Sequence, residues 1–175
     1  SIPEPLSDEN ISKIVNDWEN DKNLILDKYG HISEWDVSNI TNMSTLFKDL
    51  NFNDDISKWN TSNVINMDSM FINCKKFNQN INTWNVSKVT NMSNMFNNAE
   101  VFNQSLNTWD VSNVINMAGM FNNCKLFNGD ISTWDTSKCK YMAALFSNCY
   151  EFNNNINKWD TSNVEQMNSM FQNAT

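Results

Sequence analysis

Six tryptophans, Trp35, Trp59, Trp84, Trp109, Trp134 and Trp159, stand 24, 25, 25, 25 and 25 residues apart. A period of that length restricts the chain to an array of like units, each stacked on the next. Numbering each unit from its Trp as position 0, position 8 is Met in all six (Met43, Met67, Met92, Met117, Met142, Met167) and position 12 is Phe in all six (Phe47, Phe71, Phe96, Phe121, Phe146, Phe171). A Phe-Asn pair follows at Phe52-Asn53, Phe77-Asn78, Phe102-Asn103, Phe127-Asn128 and Phe152-Asn153. The first unit is one residue short between Phe47 and Phe52, where a loop is expected. One such unit cannot cover its own apolar side chains; a stack of them can.

Two periodicities run inside the unit. Val89, Met92, Met95, Phe96 and Ala99 are spaced as the apolar stripe of a short helix, with Ser87 or the polar residue at position 7 as its cap. Trp84 and Val86 alternate with Thr83 and Asn85, as in a half-buried strand. The pattern therefore predicts an α/β solenoid: a leucine-rich-repeat-like, right-handed superhelix with one short strand and one short helix per 25-residue repeat. Residues 35–175 form the six-copy array, the last copy incomplete. Residues 1–34 do not fit the repeat and read as an N-terminal helical cap. There Leu6, Ile11, Ile14, Val15 and Trp18 make a helical stripe behind Ser7, and a second helix over about 22–29 stops at Gly30.

The residue inventory excludes much chemistry. His31 is the sole histidine, so neither a Ser–His–acid nor a Cys–His layout has a second candidate base. Cys74, Cys124, Cys139 and Cys149 contain no CxxC pair, and three glycines form no phosphate-binding loop. No catalytic residue, metal or cofactor is expected. Net charge is −8, with 12 Lys and no Arg, which speaks against a nucleic-acid partner. No apolar run is long enough to span a membrane.

The invariant Trp and Met columns read as core. Cys74, Cys124 and Cys149 share a slot with Ala99 and Ala174, as small buried thiols would. The column after Trp (Asp36, Asn60, Asn85, Asp110, Asp135, Asp160) reads as Asx turns; a cation or polyhydroxyl ligand on a row of carboxylates is the alternative. The Asn at 53, 78, 103, 128 and 153 is expected to bond loop backbone inside its own turn. Eight N-x-S/T strings occur, most of them following from the repeat register. Function is expected where folding does not dictate the residue: on the strand face at Glu34, Lys58, Thr83, Thr108, Thr133 and Lys158, beside the Asp/Asn column, and in an apolar loop patch of Val101, Leu126 and Tyr150.

Strings such as Trp35-Asp36-Val37-Ser38-Asn39-Ile40-Thr41-Asn42-Met43-Ser44, and Met95-Phe96-Asn97-Asn98-Ala99 followed by Phe102-Asn103-Gln104, resemble the BspA-like surface-protein repeat of mycoplasma and other bacterial lipoproteins. Similar arrays occur in large DNA viruses of protists, with a lead-in like Lys28-Tyr29-Gly30. The resemblance implies a leucine-rich-repeat-like solenoid at a cell surface or secreted, acting in adhesion or protein binding, and carries no catalytic residues. No signal peptide or lipobox Cys is seen, and the thiols fit a reducing compartment, so a cytosolic or viral setting stays open. The expected role is a non-enzymatic scaffold for a protein or glycan partner. Alternatives are a structural surface or virion component assembled end to end, and a glycan hydrolase using Asp110 with Asp135.

Overall fold

The computed structural model describes residues 2–174, so Ser1 and Thr175, the outer limits of the two expected regions, lie outside the described residues. Two helices open the chain, α1 over Ile11–Asn20 and α2 over Lys22–Tyr29, followed by a 3-10 turn at Ile32–Glu34. Helix α1 buries Ile11, Ile14, Val15 and Trp18. Its start is not capped by the Ser7 hydroxyl. The Ser7 carbonyl instead accepts the Asn10 and Ile11 N–H groups, and the Ser7 N–H donates to Asn10 Oδ1 at 2.8 Å. Asp21 caps α2 by accepting the Leu24 N–H, and Gly30 ends it at φ 75°, a conformation that favours glycine.

The repeats do not form the expected α/β solenoid. Among the described residues no helix lies beyond position 34 and no strand or sheet forms; each unit is a chain of turns with one isolated parallel bridge. The bridges run Asn42↔Asn66↔Asn91↔Asn116↔Tyr141↔Gln166, all at position 7. The physical reason is the left-handed backbone at two fixed places in every unit. Position 10 (Thr45, Ser69, Asn94, Gly119, Ala144, Ser169) and position 14 (Asp49, Asn73, Asn98, Asn123, Asn148, Asn173) all have φ between 55° and 65°. An α-helix needs consecutive right-handed residues and cannot cross such points. The spacing that suggested a helix comes from successive three-residue turns: the N–H groups of Met95, Asn97 and Ala99 donate to Met92, Asn94 and Phe96, and residues three apart then share a side as on a 3-10 helix.

The intervening N–H groups look outward along the stack. At each of the five interfaces, positions 8, 10, 12 and 14 donate to carbonyls 7, 9, 11 and 13 of the next coil at 2.7–3.1 Å; Met92, Asn94, Phe96 and Asn98, for example, donate to Asn116, Ala118, Met120 and Asn122. The N–H at position 6 points the other way: Ile65 donates to Thr41, Thr90 to Ile65 and Ile115 to Thr90. From position 10 to position 15 the backbone donors thus alternate between the neighbouring coil and the turn.

Side chains stack in the same register. Position-12 Phe rings lie 5.3–5.8 Å apart between neighbouring coils. Position-18 rings lie 5.8–6.1 Å apart, and each packs 3.9–4.1 Å from the Phe of its own coil. The Trp indoles stack alongside and donate back one coil: Trp59 to the Ile32 carbonyl, Trp84 to Ile56, Trp109 to Ile81, Trp134 to Leu106 and Trp159 to Ile131, at 2.8–3.2 Å. Each Trp is therefore both core filler and a pin between coils.

The N-terminal end is closed by imitation. Where later coils find the carbonyl of a preceding coil, the first coil finds Asp8, whose carboxylate accepts the Thr41 N–H at 2.9 Å, the Asn42 N–H at 3.1 Å and the Thr41 hydroxyl at 2.6 Å. Trp18 lies edge-on to Trp35 at 5.9 Å and donates to Asp54, ending the Trp row. Partial burial works to raise the Asp8 pKa, but the Thr41 hydroxyl and the two amides outweigh it and hold the carboxyl below the usual aspartate range. Its contribution is present above the ordinary aspartate pKa and is lost as pH falls through the lowered one. Asp8→Ala is expected to destabilise the cap by about 1–3 kcal/mol and to flatten the acid limb of a pH–stability curve; chemical denaturation from pH 7 to pH 2 checks both.

Two glycines make a graded test of close packing. A Cβ at Gly129 would stand 2.0 Å from the Gln104 carbonyl oxygen, a backbone atom. At Gly119 it would meet the Asn94 side chain, which can swing, and Ala144 already occupies the equivalent left-handed position. Gly129→Ala is expected to cost about 2–3 kcal/mol and Gly119→Ala about 1 kcal/mol, in the range of strained and left-handed substitutions; urea midpoints of the two variants give the order directly.

Candidate binding surfaces

All twelve residues of the expected binding face, Glu34, Asp36, Lys58, Asn60, Thr83, Asn85, Thr108, Asp110, Thr133, Asp135, Lys158 and Asp160, are solvent-exposed. They lie on turns rather than on a strand, and most have structural duties. The Asp/Asn column accepts the N–H of the serine two residues on, from Asp36–Ser38 to Asp160–Ser162, at 2.8–3.1 Å. The serine hydroxyl and amide hold Asp36, Asp135 and Asp160 below the usual carboxylate range. Thr83 and Thr133 donate their hydroxyls to the Ser57 and Asn107 carbonyls one coil back, and Thr108 does the same to Asn82. Glu34 and Lys58 pair at 2.7 Å.

Asparagine does more inter-coil work than its spacing suggested. Asn53, Asn78, Asn103 and Asn128 do not bond their own turn. Each Oδ1 accepts the N–H of the Asn one coil on, at 2.8–2.9 Å. Position 14 forms a second ladder, Asn73 to Asp49, Asn98 to Asn73 and Asn123 to Asn98, through side-chain amides at 2.6–3.0 Å. Further Asx turns form at position 7, where Asn42, Asn66, Asn91 and Asn116 each accept at 2.9 Å. The readable signal was a position-14 column holding only Asn and Asp, the non-glycine residues that best tolerate left-handed backbone.

The cysteines are inert by environment. All four are free and buried, and Cys74, Cys124 and Cys149 each lie 2.8 Å from a carbonyl of the preceding coil. Burial pushes the Cys74 and Cys149 thiols up to about 12, where a thiolate is not available at neutral pH. His31 Nδ1 accepts the Ser33 N–H and contacts its hydroxyl within the turn that opens the first coil. Among the described residues no three His, Cys, Asp or Glu side chains converge to hold a metal ion.

The sides of the stack carry exposed Ile65 and Ile115 at position 6 and two larger features. One is a ridge across successive coils: Leu126 and Tyr150 are 48% and 45% exposed, with Val101 half-buried beside them. Glu100 bridges Lys125 at 2.8 Å and Lys75 at 3.4 Å along the same ridge. The other is an open cleft of about 620 Å³ lined by Ser132, Thr133, Trp134, Asp135, Asn155, Asn157 and Lys158. Three expected face residues, Thr133, Asp135 and Lys158, meet there.

The family described as "Mycoplasma protein of unknown function, DUF285" matches residues 10–124 and 104–175. The chain belongs to this family. The two matched stretches take in both N-terminal helices and every coil, so the DUF285 repeat extends across the whole stack. No curated protein and no solved structure matches the chain. No helix among the described residues is long and apolar enough to cross a membrane.

Proposed function

We propose that this DUF285 protein is a non-catalytic scaffold that binds a protein partner through its lateral ridge of Val101, Leu126 and Tyr150. The observation carrying the reading is the division of labour among surface residues. The repeated polar columns are committed to turns and to neighbouring coils, while Leu126 exposes apolar surface that the stack does not use. Apolar side chains rimmed by a charged cluster, here Lys75, Glu100 and Lys125, are the composition of a protein contact. The BspA-like resemblance, with its surface and adhesion roles, supports the same reading. The test is selection from a phage-displayed peptide library on the intact protein. Clones that bind wild type and lose binding to Leu126→Asp/Tyr150→Asp support the ridge; a selection that never distinguishes the two proteins overturns it.

The cleft at Trp134 favours a second reading, glycan binding, because its lining of hydroxyl, amide, carboxylate and ammonium groups suits a polyhydroxyl ligand. A glycan array separates the two: signal abolished by Asp135→Ala but indifferent to Leu126→Asp assigns the surface to sugar.

A further inference from the structure

Along the lateral ridge, the columns at positions 16 and 17 run against the charge of the rest of the molecule. Lys75 and Lys76 occupy them in the second coil, Glu100 and Val101 in the third, and Lys125 and Leu126 in the fourth. Coils flank these residues on both sides, so their exposure belongs to the middle of the array. Glu100 lies 2.8 Å from Lys125 and 3.4 Å from Lys75, and the hydrogen bond from Lys125 foremost holds its carboxyl below the usual range. One carboxylate is thus shared between two ammonium groups, and Lys76 is exposed with no partner among the described residues. The chain as a whole carries −8. Beside Lys75, where the first coil is one residue short, the ridge drops into an open notch of about 280 Å³ lined by Asp49, Leu50, Asn51, Asn73 and Lys75. Asp49 is occupied there in accepting the Asn73 side-chain amide at 2.6 Å, while the Lys75 side chain is 63% exposed.

We propose that the ridge takes an acidic peptide segment of its partner, lying along the stack with an apolar side chain on Val101 and Leu126 and carboxylates on the lysines. The inference rests on the ridge being a protein contact and names the chemistry of what it contacts. The acidic end lies over the second coil, where Lys75 and Lys76 stand together and the notch admits a carboxylate-bearing side chain. At the other end, position 17 of the fifth coil is Glu151, which repels an acid. A carboxylate arriving at Lys75 displaces only the 3.4 Å contact to Glu100, which keeps its 2.8 Å bond to Lys125. A basic segment meets the reverse, since the one carboxylate of these two columns across the second to fourth coils already has two cations. Charge complementarity of this kind selects partners by excluding the wrong sign.

The probes are two bead-bound libraries of synthetic peptides with Phe and Leu at fixed positions, one filled out with Asp and Glu, the other with Lys and Arg. Each is screened with a fluorescently labelled chain of residues 1–175. The overall field of a protein of charge −8 favours the basic library, so local and bulk electrostatics give opposite results. Binders are expected from the acidic library. Their affinity is expected to fall at least about tenfold with Lys75→Glu/Lys125→Glu, and likewise with Leu126→Asp. These are surface positions, and an unchanged circular dichroism melt shows that each variant is folded. Binders from the basic library alone, or acidic binders indifferent to either variant, would overturn the proposal. So would full displacement of the acidic peptides by dextran sulfate at matched charge, because a polyanion with no apolar group would then suffice. Basic binders lost on Leu126→Asp would keep the ridge as a protein contact and discard the acidic partner; no binder sensitive to Leu126→Asp in either library would discard both.

Discussion

Phe96→Ala is expected to lower the unfolding free energy by about 3–5 kcal/mol, the cost of a large cavity in a close-packed interior. The ring is fully buried and has neighbours on every side: Phe71 at 5.5 Å and Phe121 at 5.6 Å in the adjoining coils, Phe102 at 4.1 Å in its own, and Trp109 at 6.5 Å. Coils above and below are held in place by backbone ladders and cannot collapse into the hole. Phe171 occupies the same column but is 47% exposed with one neighbouring coil. Phe171→Ala is expected to cost only about 1 kcal/mol, because less apolar area is lost from the dry state. Equilibrium urea denaturation of both variants checks the contrast. Equal losses would mean that the column is not a continuous interior.

Excision gives the second large effect. Removing residues 85–109 joins Trp84 to Asp110 and deletes one full coil in register. In a stack whose units touch only their neighbours, the remaining five coils keep every contact type. That variant is expected to fold, with a modestly lower melting temperature. Removing residues 85–96 instead shifts every later column against the earlier ones, placing the position-12 Phe on the Trp column and Trp on position 13, and separating position-8 N–H groups from their carbonyls. It is expected to abolish cooperative unfolding altogether. Circular dichroism and calorimetry on the pair distinguish the outcomes.

The sequence carried the register and the interior in full view. The Trp, Met and Phe columns are the residues that stack, because a side chain facing the same neighbours in every coil meets the same constraint six times. It did not carry the backbone conformation. Val89, Met92, Met95, Phe96 and Ala99 show spacings that an α-helix and a run of three-residue turns share. The deciding fact is the left-handed φ at positions 10 and 14. Position 10 holds Thr, Ser, Asn, Gly and Ala, which gives no compositional hint. Its conformation is imposed by the coil-to-coil bonds of its own N–H. The candidate surface was legible in part. Leu126 and Tyr150 are exposed, but the Thr83, Thr108 and Thr133 hydroxyls were not recognisable as inter-coil donors, since their acceptors lie about one repeat away.

The abundance of asparagine follows from the same geometry. One side chain that caps a turn, tolerates left-handed backbone and bonds an identical residue in the next coil serves three needs of the stack. The scaffold therefore spends its polar columns on itself and leaves only scattered positions for recognition.

Alternate N–H groups reach the next coil rather than the turn behind, and the stack depends on them. Amide hydrogen exchange followed by NMR on a chain of residues 1–175 measures this most directly. Strong protection is predicted at Met92, Asn94, Phe96 and Asn98, with fast exchange at their sixth-coil counterparts Met167, Ser169, Phe171 and Asn173. Equal protection of both sets, as a helix bonded within each repeat would give, would contradict the account.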